Sequence, residues 1–408
     1  MKWSILACAW LAACADDTSA AKPAGTYETA LPAAGNRLAV LGSDYKSSAL
    51  SLLAADTQVR VGAALWHSGS QVSAATTALS GDAALAQTPW DDGRIVIIDR
   101  GNAVITFWQP TDRSIRQIPV STGFYSNPQD VIPIDAHKMY VVRMKRNPAP
   151  TADPADFDEG DDVLIVDPTD GKLLGRIDLA PYASEPGLVA AGSRVPWAGI
   201  RLWLPLQSLA ADFSHQGDAR ILEIDPVTDS IIHQVDIPNI KNCIAMSWQP
   251  DIQGFVAVCP GAYSDKADQG AHAGIVLLTP GNAMPSAQVL FHASDFGGAT
   301  TLGRDVACVP GGHCLVVTPG DPDSNTPDRI WRFETAGGKP VQVGAGSGPF
   351  SVSGMFAGAT TNGSIVIGDR TNPSGDVRVF ALTATTTTER PATTSNPGGL
   401  GAIDFGVF

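Results

Sequence analysis

The sequence lacks any apolar run long enough to cross a membrane as a helix. A spanning helix needs about 20 mostly apolar residues, whereas the N-terminal apolar segment covers only Trp3 to Leu11. Residues 36–408 also show no long stretch with the 3.6-residue apolar spacing of an amphipathic helix. These two absences exclude a helical membrane anchor and a helix-rich core.

Positive charge is also scarce. The chain has 27 Lys and Arg residues against 41 Asp and Glu residues, which gives a formal net charge of −14. Nucleic acid is bound by basic surfaces, and anionic lipid head groups attract polybasic segments. We therefore expect no nucleic-acid partner, and we interpret the acidity as a solubility feature.

Sequence motifs of the common hydrolases are missing as well. The chain contains neither H-E-x-x-H nor G-x-S-x-G, and its seven histidines are scattered with no paired spacing. No catalytic residue and no organic cofactor is therefore assigned from the sequence.

The first 14 residues have the pattern of an export signal. Lys2 supplies the positive start, an apolar segment follows, and small residues precede Cys14. The stretch "LAAC" (11–14) resembles the lipobox of bacterial lipoproteins. That resemblance implies removal of residues 1–13, acylation of Cys14 and, because Ala15 follows, transfer to the outer membrane.

Residues 14–35 are then predicted to be a flexible tether between the lipid and the folded domain. The alternative is an ordinary secretory peptide, which exports the chain without anchoring it.

Four cysteines remain beyond the leader, and an even number suits a disulfide-permissive compartment. Four cysteines allow three connectivities. A Pro-Gly-Gly turn separates Cys308 from Cys314, and a Gln-Pro-Asp turn separates Cys243 from Cys259. We predict the pairs 243–259 and 308–314, because these turns bring the members of each pair opposite each other. Zinc ligation is the alternative, although the spacing suits zinc poorly.

The body of the chain is repetitive. Residues 163–179 (VLIVDPTDGKLLGRIDL) and 221–237 (ILEIDPVTDSIIHQVDI) both place a turn between two strands of alternating hydrophobicity. Two further apolar strands precede each hairpin, so the unit has four strands. Seven units are predicted, at about 38–65, 80–120, 129–179, 187–237, 242–291, 304–343 and 351–385.

Four-stranded units side by side, without helices, predict an all-β, seven-bladed β-propeller over residues 36–408. The two hairpins resemble YVTN-type repeats, which form seven-bladed propellers in exported bacterial proteins. That resemblance implies a binding or scaffolding role more often than catalysis.

The first unit lacks its innermost strand, and residues 398–408 (GGLGAIDFGVF) offer a spare one. We expect the C-terminal strand to pair into the first blade and close the ring, which removes exposed strand edges. The Thr- and Pro-rich residues 383–397 are predicted to be an extended connector before this strand.

The loops after the second strand of the units are long and are expected on one face of the disc. A rigid scaffold that carries long loops favours binding through them. The sequence therefore predicts an envelope-anchored binding or scaffolding propeller whose partners are the lipid bilayer, through Cys14, and another envelope protein or a small ligand. The loops concerned are 146–162, 207–219, 260–273, 319–328 and 369–376.

An exported hydrolase, lactonase-like or metal-assisted, is the alternative function. His215 and His272 both fall in these loops, and a cluster of them with acidic side chains at the mouth of the channel would favour catalysis.

Two acidic loops offer oxygen ligands for calcium, which takes six to eight of them at flexible spacing. The first lacks the Gly and the twelfth-position Glu of an EF-hand loop, and a solvated acidic loop is the competing interpretation for both. The candidate ligands are Asp321, Asp323, Asn325 and Asp328 in one loop, and Asp153, Asp156, Asp158, Glu159, Asp161 and Asp162 in the other.

Two further patterns are interpreted as structural. The Gly-Asp pairs before third strands (160–161, 217–218 and 375–376) suit tight turns, in which Asp accepts backbone N–H bonds. Five tryptophans in or beside strands are assigned to packing between blades; they are Trp66, Trp108, Trp203, Trp248 and Trp331.

Overall fold

A computed structural model describes residues 24–70, 75–198, 201–262, 269–281, 284–358, 361, 363–396 and 399–408. The predicted leader, Cys14 and the first part of the predicted tether lie outside the described residues. No helix in the described ranges is long and apolar enough to cross a membrane.

Nearly all regular structure is β. The strands of the first half are β1 (Arg37–Ser43), β2 (Ser48–Ala54), β3 (Arg60–His67), β4 (Ala83–Leu85), β5 (Ile95–Asp99), β6 (Val104–Trp108), β7 (Ile115–Pro119), β8 (Pro128–Asp135), β9 (Lys138–Arg146), β10 (Gly160–Val166), β11 (Leu173–Asp178), β12 (Trp197–Ala198), β13 (Arg201–Leu206) and β14 (Asp218–Asp225).

Those of the second half are β15 (Ser230–Lys241), β16 (Ala245–Gln249), β17 (Gly254–Cys259), β18 (Gly274–Thr279), β19 (Ser286–His292), β20 (Val306–Val309), β21 (His313–Thr318), β22 (Arg329–Glu334), β23 (Val341–Ala345), β24 (Val352–Ala357), β25 (Ser364–Asp369), β26 (Val377–Leu382), β27 (Thr387–Thr393) and β28 (Ala402–Val407).

Within the described ranges, helical structure is limited to single turns. One short α-helix, α1 (Gln269–His272), lies between β17 and β18, and the 3₁₀ turns are Pro154–Asp156, Ala180–Tyr182, Pro250–Ile252 and Ala293–Asp295.

The strands form seven four-stranded antiparallel sheets arranged as the blades of a β-propeller. Blade 1 has the order β28-β1-β2-β3, and blades 2 to 7 take the following strands four at a time, in chain order from β4 to β27. The fold class and the blade count predicted from the sequence are confirmed.

Apolar residues cover both faces of each blade because each blade packs between two neighbours. In β5, Ile95 and Ile97 pack with blade 1, whereas Val96 and Ile98 pack with blade 3. This two-sided burial explains why the inner strands are continuously apolar in sequence. Seven main apolar clusters result, one at each interface between neighbouring blades.

The ring closes as predicted. Strand β28 pairs antiparallel with β1, with Leu38 opposite Val407 and Val40 opposite Phe405. The C-terminal strand is therefore the innermost strand of blade 1, and the two ends of the propeller are held together by a sheet rather than by a loop.

Two predicted boundaries differ from the structure. Residues 387–393, within the predicted connector, form β27, the outer strand of blade 7. Thr is frequent in strands, and as an outer strand β27 remains mostly exposed. In the unit predicted at about 187–237, the innermost strand is Trp197–Ala198, and isolated bridges at Val189 and Gly192 precede it.

The second difference concerns the predicted tether. Its described part packs on the propeller: the Gly25 N–H donates to Ala64 O (2.9 Å) and the Glu28 N–H to Val61 O (2.7 Å). The Arg113 guanidinium lies over the Tyr27 ring at 4.6 Å. The described residues of the predicted tether therefore belong to the folded domain.

Both predicted disulfides are present, Cys243–Cys259 and Cys308–Cys314. Cys308 and Cys314 lie directly opposite each other in the β20–β21 pair. Disulfides persist in oxidising compartments, so the two bonds indicate an exported protein.

The closing strand supplies the first prediction. Phe405 is fully buried in the cluster between blades 7 and 1. We expect Phe405→Ala to lower the free energy of unfolding by about 3–5 kcal/mol, the cost of a large cavity in a core. Chemical denaturation measures this loss. Phe350→Ala is the control, because Phe350 is 54% exposed, and equal effects of the two substitutions would contradict the closure.

Candidate functional site

A cavity of about 1050 Å³ occupies one end of the central channel. Its walls come from blades 2 to 7: the connection between β4 and β5, the connection between β8 and β9, and the innermost strands of blades 5, 6 and 7. Each blade is an antiparallel meander, so connections between first and second strands leave at one end of the strands. The cavity is built on that face.

One wall of the cavity combines aromatic rings with guanidinium groups. The Arg94 guanidinium lies 5.4 Å from the ring centre of Trp90, and the Arg116 guanidinium lies 4.6 Å from that of Phe107. The Trp90 and Phe107 rings pack edge to face at 5.1 Å. Burial, together with the nearby Arg94 charge, lowers the pKa of Arg116.

The same wall contains polar atoms that the protein does not satisfy. Gln87 Nε2, Trp90 Nε1 and Arg116 Nη1 are buried and have no hydrogen-bond partner among the described residues. Buried donors are nearly always paired, to protein, water or ligand. This wall therefore suits a ligand that brings acceptor atoms.

The opposite wall is mostly apolar. Met246 and Trp248 on β16, with Phe356 on β24, line the cavity and are half-buried. The Trp248 ring packs against Phe255 at 4.7 Å. An apolar wall facing a few polar groups is the usual construction of a small-molecule site.

Charged groups form the inner end of the cavity. Arg194, which precedes β12, and Asp305, which precedes β20, line it. Arg194 Nη2 contacts Asp404 Oδ2 at 2.5 Å, which links blade 4 to blade 1 across the axis. Burial disfavours the Arg194 charge, but the attraction of Asp404, Asp305 and Asp130 raises its pKa overall.

The three aspartates Asp130, Asp305 and Asp404 share one bonding pattern. Each lies within or just before the first residues of an innermost strand, accepts the N–H of the following residue, and accepts an N–H from another blade. The donors from other blades are Val195 for Asp130, Met355 for Asp305 and Leu85 for Asp404. These carboxylates therefore join blades to each other around the axis.

Burial raises the pKa of Asp130 to about 6 and that of Asp305 to about 6. Asp130 is 1% exposed, whereas Asp305 is half-buried and faces the cavity. Burial penalises an ionised carboxyl more than the neutral form, so these two groups change charge near neutral pH.

The long loops predicted as the binding region lie on the other face of the disc, because second-to-third connections leave at the opposite ends of the strands. Of the predicted histidine pair, His215 Nε2 contacts Glu185 at 2.9 Å and His272 Nδ1 contacts the Asn239 carbonyl at 2.7 Å. Neither residue lines the cavity described above.

The acidic loops use their carboxylates internally. Asp321 accepts the Asp323 N–H (3.0 Å) and the Ser324 hydroxyl (2.9 Å), and Asn325 has a left-handed backbone with φ of 53°. Asp328 is buried and accepts three backbone N–H bonds. No group of three or more His, Cys, Asp and Glu residues in the described ranges could hold a metal ion, and calcium binding here stays a prediction.

The second acidic loop is built in the same way. Asp153 accepts the Ala155 N–H (2.9 Å), and Asp158 accepts the Thr151 N–H (2.9 Å). Asp162 forms a bidentate ion pair with the fully buried Arg143. Glu159 pairs with Arg176 at 3.2 Å, while the Thr151 hydroxyl donates to Asp156.

The Gly-Asp pairs have structural roles at two of the three positions. Gly160 and Gly375 have positive φ angles of 66° and 139°. Asp161 accepts the N–H groups of Ala190 and Ala191, and Asp376 accepts the Ser395 and Ala402 N–H groups. These bonds attach the second-to-third connections of blades 3 and 7 to adjacent segments of the same polypeptide.

The five tryptophans pack in or against the clusters between blades, as predicted; they are Trp66, Trp108, Trp203, Trp248 and Trp331. The Trp248 ring is half-buried and also lines the cavity. Trp90 and the two arginines near it were missed. The repeated Asp before an apolar residue, in "QDVIP", "RDVAC" and "AIDFG", was the available signal for the axial aspartates.

No protein-family model matches the chain, and no curated protein matches it in sequence. Among solved structures, a protein from Lactobacillus plantarum matches with a TM-score of 0.55, 10% identity, and coverage of 91% of this chain and 98% of that one. A putative 6-phosphogluconolactonase from Bacteroides fragilis matches with a TM-score of 0.54, 10% identity, and coverage of 92% and 99%. At such low identity these similarities show the propeller fold alone.

The axial carboxyl of Asp130 supplies the second prediction. Its pKa of about 6 exceeds the unfolded value near 3.9, so its stabilising contribution is complete below about pH 4 and is lost as the pH rises through about 6. Asp130→Asn removes this loss. From about pH 4 to pH 7 we expect the free energy of unfolding of the variant to gain about 2–3 kcal/mol relative to wild type.

Urea denaturation of both proteins across this range measures the difference. A constant difference between the two proteins at all pH values would show that Asp130 does not titrate there.

Proposed function

We propose that this chain is an exported binding propeller that holds a small ligand in the channel cavity. The observation that carries the proposal is the cavity itself, whose apolar wall faces unsatisfied donors and two guanidinium groups across about 1050 Å³. That volume lies at the upper end of the range for small-molecule sites.

The walls indicate what kind of molecule fits. Trp248, Met246 and Phe356 provide an apolar surface, whereas Gln87, Trp90 and Arg116 provide donors without acceptors. A ligand with a flat or apolar body and an acceptor-bearing end satisfies both walls. Burying the body supplies affinity, and pairing the donors supplies orientation.

Hydrolysis is the second candidate. It is favoured by Asp305, a cavity-facing carboxyl whose burial raises its pKa to about 6, since a general acid works best with a pKa near the working pH. Binding is the stronger proposal, because both Asp305 oxygens already accept backbone N–H groups and the described cavity wall contains no histidine.

The proposal includes the cellular setting. The two disulfides support export, and the "LAAC" stretch supports acylation of Cys14 and attachment to the outer membrane. A YVTN-type propeller held there would present its cavity to ligands or to another envelope protein.

The third prediction concerns the cavity. In a thermal-shift screen of small metabolites, we expect compounds that raise the melting temperature of wild type to bind Trp248→Ala and Arg116→Gln at least about tenfold more weakly, since each variant loses one wall contact. Val227→Ser is the control, because Val227 is 83% exposed and lies outside the cavity.

The melting temperature of each variant without ligand shows whether the fold is kept. Compounds that bind all variants equally would contradict a site in the cavity. Incubation of each hit with wild type and Asp305→Asn, followed by product analysis, separates the two candidate functions: consumption by wild type alone would establish hydrolysis and replace the binding proposal.

The fourth prediction concerns anchorage. We expect the intact mass of wild type from the membrane fraction to correspond to residues 14–408 plus acyl chains. We expect Cys14→Ser to leave the membrane fraction, because its serine cannot take the thioether-linked lipid. Wild type without added acyl mass, or an unchanged distribution of Cys14→Ser, would contradict the anchor.

A further inference from the structure

The exposed aromatic residues of the described chain lie on one face of the disc. The large side chains exposed on the cavity face are aliphatic, whereas the exposed rings belong to second-to-third connections or to connections between blades, which share the other face. They are Tyr45, Tyr125, Phe213 and Phe350. We call this the loop face.

Two of these rings form a local group with positively charged neighbours. Tyr45 lies between β1 and β2 of blade 1, and Phe350 lies in the connection from blade 6 to β24 of blade 7. The Arg370 guanidinium lies 5.5 Å from the Tyr45 ring centre and donates to the Phe350 carbonyl. Together with the exposed Lys46, we call Tyr45, Phe350 and Arg370 the aromatic sector.

Hydrogen bonds from the backbone fix the conformation of Tyr45 and Phe350, the residues that carry these rings. Tyr45 and Phe350 have left-handed backbones, with φ of 65° and 52°, a conformation that bulky residues rarely adopt. The Tyr45 N–H donates to Ser43 Oγ (2.9 Å), and the Phe350 N–H donates to the buried Asp328 (2.8 Å). Strained residues whose large apolar side chains face water point to a contact outside the folded domain.

The start of the described N-terminal segment lies on the side of this sector. Gly25 and Glu28 pair with Ala64 and Val61 of β3 in antiparallel register, so Gly25 lies nearer than Glu28 to the His67 end of β3. That end lies beside the β1–β2 connection, because the Ser68 N–H donates to Ser48 O. Ala24, the first described residue, is therefore on the loop-face side of this pairing, on the blade that carries Tyr45.

The length of the preceding chain fits a nearby membrane. Nine residues, 15–23, separate Cys14 from Ala24, and the ten steps between these two residues span at most about 35 Å in a fully extended chain. From Ala64 to the end of β3 is three residues, or about 10 Å. The segment can reach a bilayer lying on the loop face, but it cannot extend far beyond it.

Charge separates this sector from the rest of the loop face. Exposed acids lie on several other connections of the loop face, of which Asp153, Asp212 and Asp295 are examples. The aromatic sector has Lys46 and Arg370 against one acid, Asp44, whose carboxylate accepts the Lys46 and Ser47 N–H groups. Aromatic rings with flanking cations are the residues that settle at the interface of a bilayer.

We propose that the aromatic sector docks on the surface of the bilayer that holds the N-terminal lipid, with Tyr45 and Phe350 inserted at head-group depth. The proposal rests on the lipid anchor proposed above. Anchoring keeps the sector at a high effective concentration near the membrane, so a weak contact suffices to orient the disc.

The test separates docking from natural acylation. The chain from residue 15, with an N-terminal six-histidine tag, is tethered to neutral phosphatidylcholine vesicles that contain nickel-chelating lipid. Single cysteines at Tyr45→Cys, Phe350→Cys, Val227→Cys and Met284→Cys are labelled with an environment-sensitive fluorophore. The last two positions lie on the cavity face and are exposed, which makes them matched controls.

We expect tethering to raise the fluorescence at positions 45 and 350 about twofold, as a probe entering the interface does, and brominated lipid to quench it. Positions 227 and 284 stay unchanged. Tyr45→Ser combined with Phe350→Cys reduces the rise, whereas Val227→Ser does not.

Equal signals at all four positions, or a rise confined to 227 and 284, would overturn the docking. If the fluorescence of the label at position 350 did not change with lipid and rose only with added envelope proteins, docking on the bilayer would also be overturned, in favour of a protein partner. If Cys14 is not acylated in cells, the anchor proposal is wrong. The vesicle experiment still decides docking by itself, because the histidine tag replaces the lipid there.

Discussion

Burial on both sides of every blade is the constraint on which the structure depends. A sheet that is apolar on two faces must be covered twice, and a row of such sheets satisfies this requirement only when it closes. The chain meets it with an apolar cluster at each blade interface and with β28 beside β1. The interface between blades 7 and 1 therefore depends on the C-terminal strand, since Phe405 and Ala402 belong to the apolar cluster at that interface.

Closure has an electrostatic consequence at the axis. It brings the starts of the innermost strands together, and three of them carry aspartates that accept N–H groups from other blades. Several carboxylates near one axis repel each other and lose hydration. Arg194 offsets this by pairing with Asp404 and by attracting Asp130 and Asp305. Arg194 and Asp305 also line the inner end of the cavity, so these two residues contribute both to blade contacts and to the cavity wall.

The sequence predicted the fold well because its signals are local. Strand alternation, Asp-Pro turns and cysteines across short turns are properties of neighbouring residues, and they yielded the blades, the ring closure and both disulfides. The predictions that differed depend on context. Residues 387–393 have the composition of a linker, and only pairing with β26 makes them a strand.

The cavity could be predicted only in part for the same reason. Arg94 and Arg116 in blade 2, Trp248 in blade 5 and Asp305 in blade 6 are separated by up to about 210 positions and meet because the ring is closed. Loop length drew attention to the long second-to-third connections. The cavity is instead lined by the shorter first-to-second connections and the inner strands. These segments have no insertions that would mark them in the sequence.

The two faces of the disc differ in what they carry. First-to-second connections surround the cavity, while the loop face carries the exposed rings. The proposed contact of the aromatic sector with a bilayer would turn the cavity face away from that bilayer, because the two faces lie at opposite ends of the same strands. A ligand then reaches the cavity from the aqueous side without crossing the lipid surface. Docking and ligand access are compatible only in this orientation.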